Sequence, residues 1–170
     1  MRRMKQTTLA FALVMAAAGV AQAGGSPGSI GVGAEFMNIG IGAVGGDLGG
    51  VSMNYDAGDF HVGGFLGFAD GGGDNDTAFS IGGRFYYHVH STSMADFSVG
   101  GALGIVSADA GPDDRNTYMG LDAGFQIRAF VASNVALSFA AGLGIGAIDA
   151  DGIFIGGQVN GFAGVHYYFF

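Results

Sequence analysis

Four charged residues lie in segments whose opposite face is strongly apolar, so they are the best candidates for a buried electrostatic role. They are Glu35, Arg84, Asp122 and Arg128. Each shares its two-residue parity with small and polar residues rather than with the bulky apolar set. A charge in a low-dielectric interior must pair with an opposite charge or cost several kcal/mol. We therefore predict an interior charge network that holds the fold shut. A gate that passes small solutes is the alternative.

Four histidines, namely His61, His88, His90 and His166, share the same inward parity, and the first three are the candidate metal ligands. His61 begins one predicted strand while His88 and His90 end the next, so these three are expected to be neighbours. Imidazoles at such spacing can bind Zn²⁺ or Cu²⁺. Because histidine is part polar and part aromatic, it also suits the mouth of a barrel without any metal, and we expect no metal or other cofactor.

Other motifs have simpler explanations. Residues 40–45 fit G-x-G-x-x-G, but no helical pattern follows, and a dinucleotide site needs a helix N-terminus. Glycines that pack a narrow interior explain the motif better. The acidic segments 74–76 and 149–152 lack the full ligand set of a calcium loop. We expect solvated acidic loops there, with weak contact to divalent cations as the alternative.

Alternation of apolar and polar residues with a period of two predicts strands that have two different environments. The alternating segments number eight: 29–43, 51–56, 60–69, 78–90, 96–107, 117–131, 135–148 and 154–170. The apolar phase of the first switches near Met37, which predicts a bulge or a strand end.

The connections between these segments differ in length. The odd-numbered ones, 45–50, 70–77, 109–115 and 149–152, carry most of the acids, whereas 57–59, 91–94 and 132–134 are short. Eight antiparallel strands can close into an up-and-down β-barrel with both termini at one end. The bulky apolar residues fall on one parity and Gly, Ala and Ser on the other. Because the interior of a small barrel has room for the small residues but not for rows of bulky ones, the apolar face points outward. We predict an all-β, eight-stranded transmembrane barrel.

The N-terminus has the pattern of a cleaved signal peptide. Arg2, Arg3 and Lys5 precede an apolar run from Leu9 to Val20 and the small-x-small sequence that ends at Ala23. This run is too short to span a bilayer as a helix. We predict a signal peptide over residues 1–23 and a barrel over 24–170. The chain has no Cys, which excludes disulfides and lipidation of a mature N-terminal Cys.

The chain ends on alternating aromatics, in the sequence Gly-Val-His-Tyr-Tyr-Phe-Phe. This ending resembles the C-terminal strand of bacterial outer-membrane β-barrels of the OmpA and OmpX kind. The resemblance implies that Tyr168, Phe169 and Phe170 are the assembly signal read by the barrel-assembly machinery. It also implies location in the outer membrane, in contact with its lipid and with lipopolysaccharide.

Charge excludes one class of partner. After residue 23 the chain has three bases against 14 acids, a net charge of −11, and no Lys. Nucleic-acid binding needs clustered Lys and Arg, so it is excluded. We expect a monomeric, non-enzymatic barrel with a structural or surface-interaction role. The alternatives are a narrow pore gated by the interior charges and, third, a lipid-modifying enzyme, which would need a nucleophile and base at the outer rim.

Overall fold

The computed structural model describes residues 26–41, 44–72, 77–111, 114–148, 152–155 and 161–169. Within these residues no helix is long and apolar enough to cross a membrane. The secondary structure consists of β-strands: β1 (Ile30–Ile41), β2 (Val44–Asp56), β3 (Phe60–Asp70), β4 (Thr77–Ser91), β5 (Ala95–Gly111), β6 (Asp114–Ala132), β7 (Val135–Ile148), β8 (Gly152–Ile155) and β9 (Gly161–Phe169).

The strands close into one antiparallel barrel. Each strand from β1 to β7 pairs with the next, β8 and β9 both pair with β7, and β9 pairs with β1. β8 and β9 are therefore two parts of the eighth strand, and the predicted eight-stranded fold is confirmed. Ile30 pairs with Phe169, so the described chain begins and ends at the same end of the barrel. We call this the terminal end; the turns 57–59, 92–94 and 133–134 also lie there.

The predicted connection over residues 45–50 is wrong. These residues belong to β2, and Gly45, Gly46 and Asp47 pair with Gly40, Ile39 and Asn38 of β1. The Gly-Gly-Asp composition is typical of a turn, but pairing with β1 overrides this local preference. The chain reverses between Ile41 and Val44 instead.

Three other boundaries also differ from the prediction. The acidic segment 109–115 is mostly strand, since Asp109 pairs with Arg115 and Gly111 with Asp114. β1 keeps a regular register through Met37, so the predicted bulge or strand end there is wrong. The predicted strand 154–170 is described only over β8 and β9, and residues 156–160 lie outside the described residues. By contrast, β3 ends at Asp70 and β4 begins at Thr77, each within one residue of the predicted strand end.

The barrel is apolar outside and polar inside. Phe68 and Val51 on the outer face are 68% and 64% exposed, while inward residues such as Glu35 and Arg128 are 1% exposed. This distribution is the reverse of a water-soluble barrel and is what a bilayer requires. The lumen also holds four aromatic rings: those of Tyr86 and Tyr168, which lie on the predicted inward parity, and those of Phe65 and Phe130, which were not singled out.

Inward glycines make room for the large interior side chains. A Cβ on Gly63 would lie 2.1 Å from Asn54 Oδ1 and 2.8 Å from Arg84 Nε. A Cβ on Gly31 would lie 2.8 Å from the Tyr168 ring. In contrast, the nearest atom to a Cβ on Gly83, on the lipid-facing side, would be 3.6 Å away. The glycine content of the inner face thus lets a narrow barrel hold bulky polar groups, as the sequence predicted.

Candidate functional site

The first interior feature is a group of side chains around Arg84, which we call the Arg84 cluster; it comprises Glu35, Ser52, Asn54, Arg84 and His166. The Arg84 and Glu35 side chains are 1% and 0% exposed. Arg84 Nη1 donates to Glu35 Oε2 at 2.7 Å, and Nη2 donates to the other carboxylate oxygen. Arg84 also donates to Asn54 Oδ1 from Nε at 3.1 Å and from Nη2 at 2.8 Å. A planar guanidinium that binds a carboxylate with two hydrogen bonds is the strongest form of such a pair.

His166 of β9 joins this cluster to the seam between the first and last strands. His166 Nε2 lies 3.0 Å from Glu35 Oε1 and 2.7 Å from Ser52 Oγ. Because a carboxylate only accepts, the Nε2 proton of His166 is donated to Glu35. Glu35 on β1 is therefore bound by Arg84 of β4 and His166 of β9, both of which are far from it in the sequence.

The second feature, the Arg128 cluster, comprises Asp56, His61, His88, Asp96, Arg128 and Tyr168, and it lies toward the terminal end. Arg128 Nη2 lies 2.6 Å from Asp56 Oδ2 and 2.8 Å from Asp96 Oδ2. Arg128 Nη1 donates to the Tyr168 hydroxyl at 3.0 Å. The buried Arg128 guanidinium thus connects β2, β5, β6 and β9. Its positive charge lies between two carboxylates, those of Asp56 and Asp96.

Aromatic rings pack against the same guanidinium. The Arg128 Cζ atom lies 5.6 Å from the centre of the Phe130 ring and 5.8 Å from that of Tyr168. Both distances are within the range of a cation–π contact. Tyr168, predicted as part of the assembly signal, is therefore an interior residue that is 1% exposed.

The four predicted interior charges do not form one group around a single partner. Glu35 and Arg84 contact each other, whereas Arg128 binds Asp56 and Asp96. The Asp122 carboxylate accepts a hydrogen bond from the backbone N–H of Ala102 at 2.9 Å. All four side chains are buried.

Asp56 and Asp96 were not singled out from the sequence, although a signal for them exists. Asp56 continues the inward parity of Ser52 and Asn54, and Asp96 lies directly opposite Arg128 in the β5–β6 register. Both residues stand at strand ends beside turns, where a carboxylate is ordinarily solvated. The register, not the residue type, identifies them as interior.

The predicted inward position and mutual contact are observed for His61 and His88, whereas the inward position is wrong for His90. His61 Nδ1 lies 2.8 Å from His88 Nε2. The β4–β5 register shifts between His88 and His90, and His90 pairs with the exposed Phe97. This bulge moves His90 to the outer face, because one extra residue reverses the alternation.

The histidines are not arranged as a metal site. Across the described chain, no group of three or more His, Asp or Glu side chains is placed to hold a metal ion. The His61 and His88 nitrogens are in direct hydrogen-bond contact, at a distance that leaves no space for a metal ion between them.

A third polar group lies at the opposite end, beyond the apolar band. Asp109 accepts hydrogen bonds from the Thr77 hydroxyl at 2.5 Å and from the Thr77 backbone N–H at 3.0 Å. Arg115 Nη1 lies 2.9 Å from Asp109 Oδ1. The hydrogen bonds from Thr77 lower the pKa of the Asp109 carboxyl, and Arg115 contributes further. These contacts connect the ends of β4, β5 and β6.

Comparisons with known proteins agree with this architecture. No protein-family model and no curated protein sequence matches the chain. The N-terminal β-barrel domain of Pseudomonas aeruginosa OprF matches with a TM-score of 0.61 and 15% identity, over 84% of this chain and 98% of that one. The attachment invasion locus protein Ail of Yersinia pestis has a TM-score of 0.46 and 14% identity, over 85% of this chain and 100% of that one. Neisserial surface protein A has a TM-score of 0.42 and 21% identity, over 84% and 94%.

At these identities the likeness is one of fold. The OprF barrel domain matches over nearly its whole length and has the same fold as this chain. The apolar exterior and the buried ionic interior are observed in the side chains of this chain and do not depend on the likeness to OprF.

Proposed function

We propose that the protein is a sealed, non-enzymatic outer-membrane β-barrel of the OmpA/OmpX-like fold, with a structural or surface-interaction role. The observation that carries this proposal is the occupancy of the lumen by the Arg84 and Arg128 clusters. The charged side chains of both clusters are almost completely buried, and each guanidinium is bound by carboxylate. Breaking such a pair costs several kcal/mol, so the closed state is strongly favoured.

The placement of the histidines supports a non-enzymatic role. A lipid-modifying barrel would need a nucleophile and a base at the rim that faces the outer leaflet. The buried histidines instead belong to the two interior clusters, where His61, His88 and His166 bind other interior groups. We propose that the terminal end faces the periplasm, as in an even-stranded barrel whose termini lie on that side.

The surface-interaction role is assigned to the opposite end. The hairpins there carry acids such as Asp70, Asp109 and Asp114, so that end has a negative surface. Carboxylates prefer hard divalent cations, and the anionic head groups of lipopolysaccharide bind the same ions. We propose bridging contact of this kind with the outer leaflet, and insertion by the barrel-assembly machinery through the C-terminal strand.

A narrow pore is the second candidate, and one observation favours it. Several buried polar atoms of the described residues have no hydrogen-bond partner; they are Ser29 Oγ, His61 Nε2, Ser80 Oγ, Gln126 Oε1, Ser138 Oγ and His166 Nδ1. Buried polar groups of this kind are commonly satisfied by ordered water. Internal water beside the ionic clusters would give a starting point for a conducting path.

Planar-bilayer recording at neutral pH separates the two candidates. The refolded protein, shown to be folded by heat-modifiable migration on gels, is expected to give no unitary conductance steps above the lipid baseline. A larger porin added to the same bilayer is the positive control. Reproducible steps from the folded protein alone would reject the sealed barrel and support the pore.

A further inference from the structure

The hydrogen bonds of His88 determine its protonation state. His88 Nδ1 lies 2.6 Å from the Gly58 carbonyl oxygen, which only accepts, so Nδ1 carries a proton. His88 Nε2 lies 3.0 Å from Arg128 Nη2, which only donates, so Nε2 presents a lone pair. The His88 ring in this structure is therefore neutral.

The same reasoning extends to His61. His61 Nδ1 lies 2.8 Å from His88 Nε2, which presents a lone pair. His61 therefore donates from Nδ1, and its Nε2 is an acceptor. His61 Nε2 is buried and has no partner. The Gln126 side chain lies against the His61 ring, and its Oε1 atom is likewise buried without a partner. Two buried acceptors are thus left without a donor.

The surrounding charge would also accommodate one more proton. Within the cluster, the guanidinium of Arg128 faces two carboxylates, those of Asp56 and Asp96, which leaves one negative charge in excess. The remaining titratable groups around the histidines are Asp59 in the β2–β3 turn, Arg84 and Tyr86 on β4, and Tyr168 on β9. Arg84 adds a positive charge, and the Glu35 carboxylate that binds it balances that charge.

We propose that His61, His88 and Gln126 form a proton-binding site that takes up one proton at the terminal end of the barrel. On uptake, the Nδ1 proton of His61 moves to His88 Nε2, and the incoming proton binds His61 Nε2. His88 becomes an imidazolium, His61 remains neutral as the other tautomer, and His61 Nε2 donates to Gln126 Oε1. Both unpartnered acceptors are then satisfied, and the excess negative charge is neutralised.

The histidine pair is close to the terminal end of the barrel. His88 is only partly buried and lines a cavity of about 290 Å³ there, together with Asp59, Thr92 and Asp96. The change also alters the Arg128 cluster, because a protonated His88 Nε2 can no longer accept from Arg128. This inference goes beyond a sealed structural barrel, since it gives the terminal end a response to acid.

Nitrogen-15 NMR of the imidazoles in lipid nanodiscs, followed from pH 8 to pH 5, tests the proposal. The His61–His88 pair should take up one proton in total. His61 should change from the Nδ1–H to the Nε2–H tautomer at the pH where His88 becomes an imidazolium. Exposed His90 gives an internal reference signal in the same spectra. Protonation of both rings, or a His61 tautomer that stays constant while His88 is protonated, would overturn the proposal.

Variants of Gln126 give a second, matched test. Gln126→Leu removes the acceptor for His61 Nε2–H, so the tautomer change should be lost and proton affinity of the pair should fall about fivefold to tenfold. Gln126→Glu keeps an acceptor and should retain the change, and His90→Gln should leave the pair unaffected. An unaltered tautomer change in Gln126→Leu would contradict the proposal. If that variant does not fold, the wild-type titration still decides.

Discussion

Removal of Tyr168, Phe169 and Phe170 is expected to abolish assembly into the outer membrane while export continues. Phe169 and Tyr168 pair with Ile30 and Gly31, so the deletion removes the last two residue pairs of the β1–β9 seam and leaves that end of β1 unpaired on one side. It also removes the hydroxyl that Arg128 binds and the ring that fills the space above Gly31. An open edge in a bilayer leaves backbone groups without hydrogen-bond partners. The readout is the amount of heat-modifiable protein in isolated outer membranes.

A single substitution separates strand closure from the buried hydrogen bond. Tyr168→Phe keeps the ring and the backbone pairing but removes the hydroxyl, so it should assemble with a stability loss of about 1.5–3 kcal/mol. If the truncated chain instead inserts at wild-type levels, the C-terminal strand is not the assembly signal. Periplasmic accumulation of the truncated chain shows that export is intact.

The second large effect is expected for the buried Arg84–Glu35 pair. Arg84→Ala should destabilise the barrel by about 3–5 kcal/mol, because it leaves the Glu35 carboxylate buried without its main partner. Adding Glu35→Ala should restore part of this loss, since the uncompensated charge is removed as well. Urea unfolding of the four proteins in lipid vesicles measures the coupling.

The exposed Arg115–Asp109 pair provides the matched control cycle. Its side chains are 46% and 17% exposed, so the coupling energy between Arg115→Ala and Asp109→Ala should be only about 0–1 kcal/mol. Strictly additive losses for Arg84→Ala and Glu35→Ala, within about 0.5 kcal/mol, would mean that these two residues do not interact.

The alternation in the sequence was sufficient to predict the fold and the inward position of the charges. In β4, for example, Arg84 and Tyr86 are buried while Phe85 and Tyr87 are exposed, as the parity requires. The same alternation could not predict His90, because a bulge reverses the parity without any change in composition. Gly45 and Gly46 were assigned to a turn for a related reason: local composition does not show that a neighbouring strand is available for pairing.

The pairing of the interior charges depended on register, which the sequence left undetermined. Arg128 lies opposite Asp96 on β5, and its contact with Asp56 runs across the lumen from β2. Neither relation follows from spacing along the chain. The Arg84–Glu35 contact could be predicted because both residues share the inward parity and have opposite charge.

The apolar face of the barrel is expected to lie in lipid, and fluorescence of a single labelled cysteine can test this position. The chain has no Cys, so Val99→Cys on the outer face and Thr92→Cys in a turn each give one labelling site. With an environment-sensitive probe in lipid vesicles, the label at position 99 should show hydrocarbon-like emission and be quenched by brominated acyl chains. The label at position 92 should report water. Water-like emission at position 99 in the folded, vesicle-bound protein would contradict the inside-out barrel.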